Sequence, residues 1–407
     1  MHNGPDVRRL DGLTGLRALA AVWVLAFHYS RGPLQPLGTA HASPFIDLGF
    51  LGVDLFFMLS GFVIWHVHGR ELAQPQLRSF GRFLCLRLAR LYPLHLFTLV
   101  LLACVVLLRP HWDDAPVNPA DYTTRQFFLH LALVQSWGFT RHLAWNYPSW
   151  SVSAEWFCYL MFPALALLFA RAGRMGTMAG ILLMLLTIGA TYVTVFNKDL
   201  DQAVGGATLL RAGPEFFLGC LLRRLSGQVK MAHWPWTPIL AALAAGWVAS
   251  FATPLPVELL ALPLFAALIL AVGVSDGAVA RLLRLRPVVA VGAASYSLYL
   301  MQAPVQQAAL GLHRNLSPGH PWRDAAIIAA YVVLLTAGTT LVHRYVENPA
   351  RGWLRRVIDA WLPRLSPAAH AQPASGAAAP LRRGLSAPPA TASRPRAGGP
   401  RPLPRRR

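Results

Sequence analysis

LDGLTGLRALAAVWVLAFHY, residues 10–29, is long and apolar enough to cross a bilayer as a helix, yet it carries Arg17 and His28. A span needs about 20 apolar residues. Ionisable groups inside one are costly, so they are usually there for function. Eleven residues of α-helix make about three turns plus roughly 20° and rise about 16 Å. Arg17 and His28 therefore share one face at opposite depths. A cation low in the membrane and an imidazole high in it are placed to hold the two ends of one long anionic molecule. Taken alone, the pair also fits a plainer account, with Arg17 snorkelling to headgroups and His28 a satisfied polar residue near the other interface.

The rest of the chain sets this helix in an all-α, polytopic membrane protein. Its 407 residues are 55% hydrophobic and only 13% charged, the balance of a membrane protein rather than a soluble one. Apolar segments fall near 11–30, 48–68, 91–108, 151–170, 177–196, 205–222, 237–252, 257–274, 288–309 and 325–343. Basic loops are expected on the cytoplasmic side. With Arg8 and Arg9 inside, so are Arg70 to Arg90, Arg171 and Arg174, Arg223 to Lys230, Arg281 to Arg286, and Arg344 to Arg356. This holds only if Phe127 to Trp137 does not cross. The pattern predicts about ten spans, both termini cytoplasmic, and 127–137 as a re-entrant or interfacial piece in a long outer loop. Residues 1–356 form the transmembrane domain. Residues 357–407 are a Pro/Ala/Arg-rich cytoplasmic tail, predicted to be disordered and suited to contact with anionic lipid.

The formal charge of +20 lies in these loops and the tail, so it points to a membrane and not to nucleic acid. Cys85, Cys104, Cys158 and Cys220 form no Cys-x-x-Cys pair, and neither a metal site nor a disulfide framework is expected. No small-residue cleavage site follows the first apolar stretch, so that helix is expected to remain as an anchor. The sequence shows no internal repeat and carries no signal for oligomeric state.

Several other polar residues fall in or beside spans. LRLARLYP, residues 86–93, puts Arg87 and Arg90 three apart on one helical face. With Arg17 they make a candidate phosphate site, since guanidinium pairs phosphate oxygens through two parallel bonds. GFLGVDLFFMLSGF, residues 49–62, places Asp54 just below the outer face. YPSWSVSAEW, residues 147–156, brings Trp150, Ser151 and Glu155 to the same side as His28. A carboxylate beside that imidazole would orient it and raise its basicity. Arg211, in LLRAGPE at 209–215, either neutralises Asp54 or Glu155 or contacts substrate. A cavity with a base at its outer end and a phosphate clamp at its inner end fits a coenzyme A thioester in size and charge.

In these motifs the chain resembles the acyltransferase 3 family of membrane O-acyltransferases, over about residues 8–356. The resemblance rests on Arg17 and His28 as Arg-x10-His, Gly49 to Phe62, Arg87 with Arg90, and Trp150-Ser151 with Glu155. It continues through Arg211 with Glu215 to Gly219, Ser295 to Leu300, and Glu347-Asn348-Pro349. It implies ten core helices in the cell (inner) membrane and transfer from cytoplasmic acyl-CoA to a hydroxyl on the far side. It marks His28 as catalytic and Arg17, Arg87 and Arg90 as acyl-CoA contacts. Acetyl-CoA, a carbohydrate or glycolipid acceptor, and no metal are the expectations that go with it. Gln302 stands where the family usually has His, and the chain has a tail where some members have a hydrolase-like domain. His28 is read either as general base or as a transiently acylated relay. A transporter or flippase for an anionic solute or glycolipid is the competing class. It would be expected to show matching halves with broken helices, which the sequence lacks.

Overall fold

A computed structural model describes residues 5–31, 43–108, 119–140, 142–196, 200, 204–315 and 321–363. The described residues are helical and contain no strand. Helix α1 (Pro5–Arg31) is unbroken, so Arg17 and His28 do share a face, about 16 Å apart along the axis. A single turn, α2 (Pro44–Asp47), is capped by the Ser43 side chain and leads into α3 (Gly52–His68). Next comes α4 (Leu77–Leu108). Its 32 residues run about 48 Å, well beyond a hydrocarbon core of about 30 Å. The helix that was expected to cross from residue 91 therefore begins far earlier, and its first half presents Arg82, Arg87 and Arg90.

Helix α5 (Thr124–Leu131) has eight residues, too few to cross a bilayer, and the chain turns directly after it. There follow α6 (Trp150–Leu168), α7 (Arg174–Thr194), α8 (Ala207–Gln228), α9 (Trp236–Ser250) and α10 (Val257–Val274). Two short helices, α11 (Ala278–Leu283) and α12 (Arg286–Ala293), precede α13 (Ser295–Asn315) and α14 (Pro321–Val342). A π-helical turn, His343–Glu347, joins α14 to α15 (Asn348–Trp361).

Among the described residues six segments are long and apolar enough to span: those of α1, α3, α4, α6, α7 and α10. A seventh is added if α12 and α13, bent by 57°, count as one. Helix α8 is long but carries Arg211, Glu215, Arg223 and Arg224, and α9 has only 15 residues. Length and apolarity thus support fewer spans than the expected ten. Helix continues to Trp361, five residues past the expected domain boundary, because α15 docks on α4. There Arg82 pairs with Asp359, and its Nε donates to the Leu362 carbonyl at 2.9 Å. From residue 364 the expected tail lies outside the described residues.

Helix α3 packs on α8, which also holds α6 and α7. Their crossing is backbone on backbone. A methyl group added at Gly61 would overlap the Phe216 carbonyl, and one at Gly219 would overlap the Met58 carbonyl. Small residues permit such an approach between membrane helices, where dispersion contacts do the work that water exclusion does elsewhere. Helix α1 packs along α3, α10 and α12, while α13 joins α4 to α14. Leu182, Leu183 and Leu186 on α7 and Val332, Val333 and Leu334 on α14 face outward, an apolar exterior suited to lipid.

Candidate active site

A cavity lies among α1, α3, α4, α6 and α13, lined by Arg17, Ser60, Arg87, Arg90, Ser151, Glu155, Tyr159, Tyr296 and Tyr299 with apolar neighbours. The three arginines expected to act together do meet here. Among the described residues Arg17 makes no hydrogen bond or ion pair, although Arg90, Glu155, Tyr159 and Glu347 lie within its electrostatic reach. Arg87 stacks near Phe83, with its Nη2 3.5 Å from His68 Nε2, while its buried Nε has no partner. Arg90 is held by Glu347, with Nη1 to Oε1 at 2.5 Å, and lies over Tyr296 at 5.4 Å.

Glu347 also accepts from Ser297 at 2.7 Å and meets His343 Nδ1 at 2.9 Å. Burial pushes its carboxyl up, but Arg90 and the bonds from His343 and Ser297 outweigh this and hold it below the usual carboxylate range. A carboxyl depressed on folding contributes stability above its unfolded pKa and loses it as pH falls through the folded value. The melting temperature is therefore expected to fall on acidification below about pH 4.3. Glu347→Gln should melt lower at neutral pH and show a flatter acid limb. An unchanged slope in that variant would assign the acid sensitivity to other groups.

Glu155 is not beside His28, which corrects the expected dyad. Its Oε1 accepts from Ser60 Oγ and Tyr159 OH, both at 2.5 Å. The reason is helical register: Glu155 on α6 faces Ser60 on α3 and points into the arginine-lined cavity. His28 is oriented by its own helix instead, with Nδ1 3.0 Å from the Val24 carbonyl. A carbonyl only accepts, so Nδ1 carries the hydrogen and the lone pair of the neutral ring sits on Nε2. The ring lies 5.4 Å from that of Tyr147, whose hydroxyl donates to Gln306 Oε1 at 2.8 Å.

Arg211 binds Asp54 through two bonds, Nε to Oδ1 at 2.8 Å and Nη2 to Oδ2 at 2.6 Å. Its remaining donors reach the Leu200 and Phe50 carbonyls at 3.1 and 3.2 Å. Phe50 and Trp150 each lie 5.6 Å from the guanidinium. Both charges are buried, and of the open alternatives for Arg211 the structure shows neutralisation of Asp54. Ser151 Oγ lies 3.1 Å from the Pro148 carbonyl and 3.0 Å from Tyr299 OH. Gln302 is buried, donates to the Tyr299 carbonyl at 3.2 Å, and leaves its Oε1 without a partner.

Sequence reasoning passed over Ser60, Tyr159, Ser297 and Glu347 as site residues. All four lie in or next to the quoted motifs, but none sits in an apolar run as an isolated charge, which was the signal followed. Tyr147 and Gln306 meet across 159 positions, a pairing no local pattern reveals.

A family model described as an acyltransferase domain matches residues 10–344. Acyltransferase MdmB of Streptomyces mycarofaciens is 36% identical over 167 residues, covering 39% of this chain and 40% of that protein. Protein 2 in the picA locus of Rhizobium radiobacter is 41% identical over 91 residues, 22% of this chain and 42% of that one. O-acetyltransferase OatA of Staphylococcus aureus is 36% identical over 100 residues, 25% of this chain and 14% of that one. The chain thus spans well under half the length of each of these relatives. No solved structure matches it. The unpaired arginine, the histidine about three turns along the same helix and the matched domain agree, and the chain belongs to the acyltransferase 3 family of membrane acyltransferases.

Proposed function

We propose that the protein moves an acyl group, acetyl by default, from cytoplasmic acyl-CoA to a hydroxyl of a carbohydrate or glycolipid on the outer side of the cell membrane. One observation carries this reading: Arg17, without an ion-pair partner among the described residues, faces a cavity with Arg87 and Arg90, on the same helix face as His28. A guanidinium without a direct ion-pair partner inside a membrane helix favours binding of an anion. The phosphates of coenzyme A supply one, and its pantetheine arm has the reach to carry a thioester toward His28.

In this reading His28 Nε2 takes the proton of the acceptor hydroxyl as its oxygen attacks the thioester carbonyl. The new C–O bond forms, the C–S bond breaks, and the proton passes from His28 to the leaving thiolate. Val24 holds the ring in the required tautomer. Glu155, with Ser60 and Tyr159, faces the acyl-CoA side of the cavity. Ten crossings with both termini cytoplasmic require α8, α9, α14 and the bent α12–α13 pair to cross beside the six apolar spans. This arrangement places Arg87 and Arg90 on the cytoplasmic side.

Arg17→Ala is expected to raise KM for acetyl-CoA by about 10–100-fold, the loss of one charge-assisted contact, with a smaller change in kcat. Reconstituted protein and labelled acetyl-CoA provide the assay, and an unchanged KM would remove Arg17 from acyl-CoA binding. The function itself is tested by following labelled acetyl into base-labile esters on surface and secreted glycans. Protein that forms no ester and instead carries an anionic solute across the bilayer would overturn it.

A further inference from the structure

The matched domain ends at residue 344, before α15, yet α15 returns to the arginine end of the cavity. Glu347, which binds Arg90, lies four residues before Arg351, so one helical turn carries Arg351 to the same side. Arg87, Arg90, Glu347 and Arg355 all lie within electrostatic reach of it. The helix is fixed there by the bonds from Arg82 to Asp359 and Leu362. The guanidiniums of Arg87, Arg90 and Arg351 thus share one field with Glu347, while Glu155 also reaches Arg87 and Arg355 lies 3.7 Å from Asp359. Arg87 has a buried Nε without a partner. Like charges so placed destabilise each other unless an anion sits among them.

We infer that Arg351 binds the outermost phosphate of the acyl donor, the 3′-phosphate of coenzyme A. The assignment rests on the acyl-CoA reading above. Arg17 and Arg87 line the cavity, whereas Arg351, on α15, is exposed. In coenzyme A the 3′-phosphate lies farthest from the thioester, with the pyrophosphate between. The inner arginines therefore take the pyrophosphate, and the arginine on α15 takes the group that distinguishes coenzyme A from its 3′-dephospho form. The C-terminal helix would then be part of the binding site and not only an appendage to it.

The test measures binding of CoA and 3′-dephospho-CoA to full-length protein in lipid nanodiscs. Wild type is expected to prefer CoA by about tenfold, the contribution of one charge-assisted pair. Arg351→Gln should bind CoA about tenfold more weakly, bind 3′-dephospho-CoA as wild type does, and so lose the preference. Arg351→Lys should restore part of it. Arg351→Gln that keeps both the affinity and the preference of wild type would overturn this inference alone. Wild type that binds neither ligand would overturn the acyl-CoA reading together with it.

Discussion

Replacing His28 by alanine is expected to slow acyl transfer by about 10²–10⁴-fold, the usual contribution of a positioned general base. Acyl-CoA affinity should stay near that of wild type, because the arginines proposed to hold it stand about three helical turns away. The expectation follows from the tautomer: Val24 accepts from Nδ1, so only Nε2 is free to take a proton. Single-turnover assays with labelled acetyl-CoA, on protein shown to be monodisperse, separate chemistry from binding. Full activity in His28→Ala would exclude both a general base and an acylated relay at this position. Glu155→Gln is informative in the same assay. The observed contacts of Glu155 with Ser60 and Tyr159 put its expected effect in the arginine-lined cavity and not on the basicity of His28.

The second large effect is expected at the buried pair of Asp54 and Arg211. Removing one partner leaves a charge stranded in the protein interior, which costs about 3–5 kcal/mol. Arg211→Ala and Asp54→Ala should each accumulate little folded protein and melt far below wild type. The double replacement Asp54→Leu with Arg211→Met should recover part of the loss, since it removes both charges. Recovery will be incomplete because the Leu200 and Phe50 carbonyls lose their donor. Thermal melts and size-exclusion profiles in detergent give the readout. Arg211→Ala that folds and melts as wild type yet is inactive would make Arg211 a substrate contact instead.

Much of this architecture is legible in the sequence for a simple reason. Apolar runs of about 20 residues have few alternatives to a spanning helix, and a charge inside one stands out. That logic located Arg17, His28, Asp54 and Arg211. It misplaced Glu155, because helix register gives depth and face but not which neighbour occupies the facing position. The facing residue is Ser60, on a helix whose contact with α6 arises only in the assembled bundle. Helix α8 illustrates the converse. Its charges lower its apolarity below that of an ordinary span, and only contacts made in the bundle, Arg211 with Asp54, Arg223 with His66 and Arg224 with Thr177, show why its arginines are tolerated. Helix beyond residue 356 was not legible for a third reason. The basic, amphipathic α15 resembles the start of the tail in composition, and what makes it structure is a pairing with Arg82 from 277 positions away.

The glycine crossing of α3 and α8 also bears on how the protein works in time. Two helices in backbone contact at both Gly61 and Gly219 can neither slide nor roll past one another, so the pair acts as a fixed keel. An enzyme working as proposed above must open to two substrates, and packed interfaces move as rigid bodies. That motion falls to the opposite wall of the cavity, α4 and α13. There the contacts are made by side chains, and the 57° break between α12 and α13 supplies a hinge. One wall swinging against a stationary one is a collective helix movement, of the kind that takes microseconds to milliseconds.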